Sequence, residues 1–171
     1  KSWRENSWAS VASPTMTGVM GVWLMPVLNP RRLRPSLKNF VFAQSLVINC
    51  GSSSLKYSFY DTTDEARQAR GQVERIGIDG TRLVHRGPKG EVKRDLPKSG
   101  FAEAFKVMVV ELTAKDSGVI GGAGEVSVVA HRVVHGGEKF TEGTLITDEV
   151  LAQIEALNPL APLHNPVNVA G

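Results

Sequence analysis

Three short stretches carry side chains suited to holding an anion and a group in transfer. The first is N-C-G-S-S-S-L-K at residues 49–56. Gly51 has no Cβ to keep an anion away from backbone amides, Ser52 to Ser54 offer hydroxyl donors, and Lys56 adds a compact positive charge about where terminal phosphates would lie. The spacing is not GxxxxGK[ST], and the turn joins strand to strand, so it is not a Walker A loop. Read alone, such a turn is more often a plain hairpin turn. Asn49, at the end of the preceding apolar run, could hold a hydrated Mg²⁺ through its side-chain carbonyl. The second stretch, A-H-R-V-V-H-G-G-E-K-F at 130–140, sets Arg132 between apolar neighbours. Its planar guanidinium suits a carboxylate or phosphate gripped by two parallel hydrogen bonds, and Gly136 and Gly137 let the following loop pass close to a ligand. The alternative is a structural arginine paired with a core acid. His131 and His135 would share one face of a strand, with no third metal ligand in view. The third stretch, L-A-P-L-H-N-P at 160–166, stiffens the chain around His164 with two prolines and could aim a hydrogen bond at an oxyanion, although loop histidines are usually surface polar groups.

The surrounding pattern supplies elements to position these groups. SLVINC at 45–50 is an apolar run that ends in glycine and serines, as a buried strand entering a tight turn does, and SLKYSFYD at 54–61 alternates as its hairpin partner. RGQVERIG at 70–77 and TRLVHRG at 81–87 add strands with IDGT and GPKG as turns, and EVKRDLP returns as an edge strand, giving an antiparallel meander. FAEAFKVMVVELTAKD at 101–116 places Phe101, Ala104, Phe105, Met108, Val109 and Leu112 at helical spacing. VSVVAHRVV at 126–134 reads as a buried strand, and TDEVLAQIEALN at 147–158 as a helix opened by a threonine cap and acidic residues. LAPLHNPVNVAG reads as loop. Strands first, then helix, strand and helix, predict an α/β layer with a mixed sheet.

The 171 residues, 42% of them hydrophobic, suffice for one domain with a buried core or a domain with a tail. The net charge of +3 does not point to nucleic acid, because it is unevenly placed. Residues 1–45 carry six basic side chains against Glu5 alone, whereas the rest of the chain is slightly acidic. All three tryptophans also fall in that leader, with four of the nine prolines. Its most apolar run, GVMGVWLMPVL at 18–28, is too short to span a bilayer and is interrupted by Pro26. Residues 1–45 are therefore expected to be an unrelated, disordered extension; a targeting peptide is the other reading. The single cysteine, Cys50, excludes an internal disulfide and a cysteine-based zinc site and fits a reducing cytoplasm. With no basic neighbour in sequence, it reads as a small buried thiol.

From Leu46 to Gly171 the chain closely resembles the N-terminal part of the acetate kinases. The resemblance is carried by VINCGSSSLKYSFYD, ERIGID at 74–79, HRVVHGGEKF and LAPLHNP, in that order. It implies the ribonuclease H-like fold of the sugar kinase, actin and Hsp70 superfamily, with ATP in a cleft between two duplicated domains. It implies a phosphotransferase that moves the γ-phosphoryl group of ATP to acetate, giving acetyl phosphate and ADP, with Mg²⁺. By motif position Asn49 resembles the Mg²⁺-binding residue, Ser52, Ser54 and Lys56 the phosphate-side loop, and Arg132 the group that binds the acetate carboxylate. Val134 and Leu163 would line a small methyl pocket, and His164 would stabilise the phosphoryl group in transfer. Cys50 stands where the family usually has alanine and Ala130 where it has glycine; both stay small. The family's catalytic Asp, a second phosphoryl-binding Arg and His, its adenosine-binding segment and a Glu of the Mg²⁺ site would fall beyond Gly171. The expectation is thus a partial ATPase-like domain at 46–171, inactive alone. Propionate or butyrate kinases and a non-catalytic fragment are the alternatives. ATP and acetate are the partners implied, without nucleic acid or membrane, in a family that is typically homodimeric.

Overall fold

A computed structural model describes the backbone of residues 21–26 and all of residues 44–61, 63, 66–140 and 143–170. In chain order its strands are β1 (Gly21–Pro26), β2 (Gln44–Cys50), β3 (Ser54–Asp61), β4 (Ala66–Glu74), β5 (Arg82–Gly87), β6 (Gly90–Asp95), β7 (Val128–Val133) and β8 (Thr144–Leu145). Three helices accompany them: α1 (Phe101–Thr113), α2 (Asp148–Ala156) and α3 (Asn165–Ala170). The strands form one mixed sheet in the order β6-β5-β4-β3-β2-β7-β1-β8. The meander β2 to β6 is antiparallel throughout, whereas β7 returns after α1 to lie parallel to β2. A parallel return requires a long crossover, and the α1 segment provides it.

Side chains alternate across the sheet, and the alternation divides its two faces. Leu46, Ile48 and Cys50 of β2 stand beside Phe59, Tyr57 and Leu55 of β3, which in turn stand beside Ala69, Gly71 and Val73 of β4. This face forms the core with Ala104, Met108 and Leu112 of α1. Val167 of α3 packs on the same cluster, and a second cluster joins Val133, Phe140 and Ile154, with Val169 of α3 against it. Leu55, Val73 and Leu83 are completely buried, each worth roughly 1.5–3 kcal/mol relative to exposure. No helix among the described residues is long and apolar enough to cross a membrane.

The backbone of residues 21–26 pairs antiparallel with β7 over six positions and parallel with β8. The edge of β7 is otherwise an unsatisfied row of donors and acceptors, and a β-prone apolar run can satisfy it. Three local expectations are corrected. The strand expected at 70–77 runs instead from Ala66 to Glu74 and stops where Arg75 takes a positive φ of 57°. The segment expected as loop after residue 160 contains α3, with Pro166 in its first turn, where a missing N–H is harmless. His135 does not share a strand face with His131, because β7 ends at Val133.

Candidate functional site

The registers of β2 bring the separate sequence motifs into one row. Asn49 stands opposite Lys56 of β3, and the parallel register of β2 with β7, which sets Ile48 beside His131, places Arg132 next to Asn49 one step on. Lys56, Asn49 and Arg132 therefore occupy three adjacent strands on the sheet face opposite the core. At about 4.8 Å per strand, the two cationic residues flank Asn49 with roughly 10 Å between their Cα atoms. Ser54, two residues before Lys56, shares this face. Arg132 and Asn49 are half-buried and Lys56 is exposed. Among the described residues neither Arg132 nor Lys56 has an ion-pair partner. Among the described residues, then, Arg132 is not the acid-paired structural arginine that the sequence allowed. Two unneutralised cations on either side of an amide form a surface suited to an anion with more than one charged oxygen.

The Gly-Ser turn is tight and anchored. The Gly51 N–H donates to the Ser54 carbonyl at 2.7 Å, and the Ile76 N–H donates to the Ser53 carbonyl at 2.9 Å. A Cβ at Gly51 would lie 3.0 Å from Ser54 Oγ. Ser52 and Ser53 face solvent. Cys50 beneath them is buried and burial pushes its thiol pKa up to about 12, so it is an inert packing group.

On the β7 side the loop turns at once. Gly137 adopts φ +63°, its N–H donates to His135 Nδ1 at 3.0 Å, and a Cβ at Gly136 would strike the Phe140 carbonyl at 2.5 Å. The glycines thus serve the turn itself as well as any ligand. His131 is buried, and neither ring nitrogen has a hydrogen-bond partner among the described residues. Burial lowers its pKa to about 4; the nearby Arg132 backbone opposes this without the alignment of a hydrogen bond.

Two asparagines that the sequence reading passed over hold these ends together. Asn168 Oδ1 accepts from the Val134 N–H at 3.0 Å while its Nδ2 donates to the Cys50 carbonyl at 2.8 Å. Asn165 holds both backbone polar groups of His135: its Oδ1 accepts from the His135 N–H at 3.1 Å, and its Nδ2 donates to the His135 carbonyl at 2.9 Å and to the Leu157 carbonyl at 3.5 Å. Both side chains are buried. The signal available in the sequence was N-P-V-N, two amides three apart on one face of a short helix. The backbone carbonyl of His164 accepts from the Asn168 N–H, so His164 lies one helical turn from the clamp, half-buried. Val134 enters the clamp through its N–H, whereas Leu163 is 75% exposed and belongs to neither apolar cluster.

Asn49 is the one expected metal-side residue. Its amide has no hydrogen-bond partner among the described residues, and no group of three His, Cys, Asp or Glu able to hold a metal lies among them. A lone amide oxygen fits Mg²⁺, which keeps several waters and takes further ligands from phosphates, better than a cation needing a full protein cage.

The Acetokinase family model matches residues 44–171. The chain belongs to this family. It is 49% identical over 128 residues to an acetate kinase of Fusobacterium nucleatum and 47% identical over 129 to one of Halothermothrix orenii, in each case covering 74% of this chain and 32% of the relative. The acetokinase fold is likewise matched by the crystal structure of Porphyromonas gingivalis acetate kinase, at a TM-score of 0.70 and 39% identity, covering 74% of this chain and 32% of that one. A propionate kinase from Francisella tularensis matches at a TM-score of 0.60 and 30% identity, over 75% of this chain and 32% of its own. The actin and sugar-kinase-like layer implied by the resemblance is therefore the fold observed. The chain spans about a third of the length of the acetokinase relatives it matches.

Proposed function

We propose that these residues form one wall of a carboxylate kinase site, which moves the γ-phosphoryl group between ATP and acetate. The observation that carries this reading is the row of Lys56, Asn49 and Arg132, two cations without acidic partners among the described residues on either side of an amide oxygen. A carboxylate is already ionised at neutral pH, so no base is needed to activate it as a nucleophile. Arg132 holds its two oxygens by the fork of its guanidinium and fixes the line of attack on phosphorus. Lys56, with the Ser52 and Ser54 hydroxyls, takes the phosphate side, and His164 donates to the phosphoryl oxygens. Asn49 would hold Mg²⁺, which supplies charge neutralisation on the phosphates. Charge accumulates on the equatorial oxygens as the group moves, and fixed cations around them lower the barrier without reorganising.

The experiment is ATP, Mg²⁺ and acetate with hydroxylamine trapping of acetyl phosphate, on the full-length protein and on the 171-residue chain. The expected result is acetyl hydroxamate from the full-length protein and none from the 171-residue chain, which spans about a third of its relatives' length. A folded full-length protein that forms no hydroxamate from acetate rejects the acetate assignment. Propionate is the second substrate to test, because the chain also matches a propionate kinase and the exposed Leu163 does not by itself define a small methyl pocket. One methylene changes such a preference by only about 1–3 kcal/mol. The kcat/KM ratio of the two acids decides between them.

A further inference from the structure

We infer that Asn168 is a positioning residue that sets the metal side and the carboxylate side of the site relative to each other, an inference that rests on the carboxylate kinase reading. Its amide is the only described side chain that hydrogen-bonds both strand ends: it accepts from Val134 on the β7 side and donates to Cys50 on the β2 side. Cys50 directly follows Asn49, and Val134 is two residues past Arg132. No β2–β7 pairing is recorded beyond Ile48 and His131, so past that point the amide of Asn168 takes over as the tie between the strands. The side chain is 3% exposed, so neither bond is weakened by competing water. A primary amide is the chemistry required, since one site needs an acceptor and the other a donor.

Asn165 supplies an internal comparison. It lies on the same short helix and is also buried, but its bonds run to the His135 backbone on the β7 side and to the Leu157 carbonyl, with none to β2. Were the two residues simply structural, their substitution would lower stability and leave the pattern of kinetic effects undifferentiated. Positioning predicts a pattern: Asn168→Ala disturbs both sides, Asn165→Ala one. Asn168→Asp separates the two bonds, because a carboxylate still accepts from Val134 but meets the Cys50 carbonyl as a second acceptor.

The test uses the full-length protein, with thermal midpoint, KM for acetate and Mg²⁺ dependence measured for each variant. Residues that orient ligating groups typically cost 10–100-fold when removed. Asn168→Ala is expected to raise both the acetate KM and the Mg²⁺ concentration for half-maximal rate about tenfold or more, whereas Asn165→Ala raises the acetate KM alone. Asn168→Asp is expected to shift the Mg²⁺ dependence more than the acetate KM. A second readout is independent of turnover: in Asn168→Ala the Val134 amide exchanges faster and the Cys50 carbonyl-carbon shift moves, with core amides of β4 unchanged. Unaltered Val134 exchange, or altered exchange with unaltered KM and Mg²⁺ dependence, overturns the inference. A wild-type protein inactive with every carboxylate overturns the kinase reading instead, and the exchange data then decide whether the tie exists.

Discussion

Two buried histidines separate the outer meander from the end of the sheet where β2 meets β7. His85, on β5, has both ring nitrogens engaged: Nδ1 with the Tyr57 hydroxyl at 2.8 Å and Nε2 with the Ser117 carbonyl at 3.2 Å. A carbonyl only accepts, so Nε2 carries the proton and Tyr57 donates to Nδ1. Beside it Glu111, fully buried on α1, receives Arg94 Nε at 2.6 Å and the Ser117 hydroxyl. Burial would raise its pKa, but these donors hold the carboxyl below its ordinary value. His131, on β7, is equally buried and engages nothing described. The difference extends to the cations, since Arg82, Arg86, Lys93 and Arg94 on the outer strands β5 and β6 meet carboxylates, whereas among the described residues Lys56 and Arg132 meet none. The outer strands β5 and β6 have their charged groups and His85 engaged within the fold, and the β2–β7 end keeps the side chains of Lys56, Asn49 and Arg132 without a partner among the described residues. Unspent polar groups in a folded chain are where function is to be sought.

The sharpest way to break this contrast is Arg132→Ala. It should lower kcat/KM for acetate in the full-length protein on the order of 10²–10³-fold, as removal of one well-placed charge donor does, while the thermal midpoint stays nearly unchanged. A large loss of stability with modest loss of rate would return Arg132 to a structural role. The next effect belongs to His131. Its folded pKa, about 4, lies below the ordinary 6.5, so the unfolded chain binds the proton more tightly. The stability contributed by the neutral ring is therefore complete above about pH 6.5 and declines as pH falls toward 4, by roughly 2–3 kcal/mol at pH 4.5. His131→Leu is expected to be near neutral at pH 7 and clearly stabilising relative to wild type at pH 4.5, as read by urea unfolding. Equal effects at both pH values would show that the ring does not titrate as burial dictates.

The same division explains what could be read in advance. The strands β2 to β7, α1 and α2 follow from apolar periodicity, whereas β1 and β8 were not anticipated; Thr147 caps α2 by accepting from the Val150 N–H at 3.2 Å, as its residue type announced. Asn49, Lys56 and Arg132 were legible as residue types in short motifs, but their alignment depends on the registers of β2 with two different partners. One of those partners arrives some eighty residues later, and no local pattern specifies such a register. Asn165 and Asn168 were missed because a stretch with Pro162 and Pro166 reads as a loop, and their value lies in bonds to residues 30 and 118 positions away. The partners of Arg94 and His85 were hidden for the same reason. A buried Glu at a helical position looks like a surface acid until its arginine is seen across the sheet.

The meander's self-sufficiency rests on a row that also allows the smallest predictions. Tyr57 of β3, Gly71 of β4 and His85 of β5 are register neighbours, and the tyrosine ring reaches His85 by lying across the glycine. A Cβ at Gly71 would stand 2.3 Å from the Tyr57 hydroxyl and 2.4 Å from Cζ, closer than packed atoms tolerate. Gly71→Ala should therefore displace the ring and cost about 1–3 kcal/mol by overpacking. Tyr57→Phe keeps the ring and leaves Nδ1 of His85 unpaired in the core, a loss of about 1–2 kcal/mol. Because the displaced ring of Gly71→Ala has already surrendered its bond to His85, the double variant should lose less than the sum of the two. Additive losses in urea unfolding would mean that Tyr57 and His85 do not act through the passage over Gly71. The row would then be packing alone, and the contrast with the β2–β7 end would rest on Glu111 and its donors.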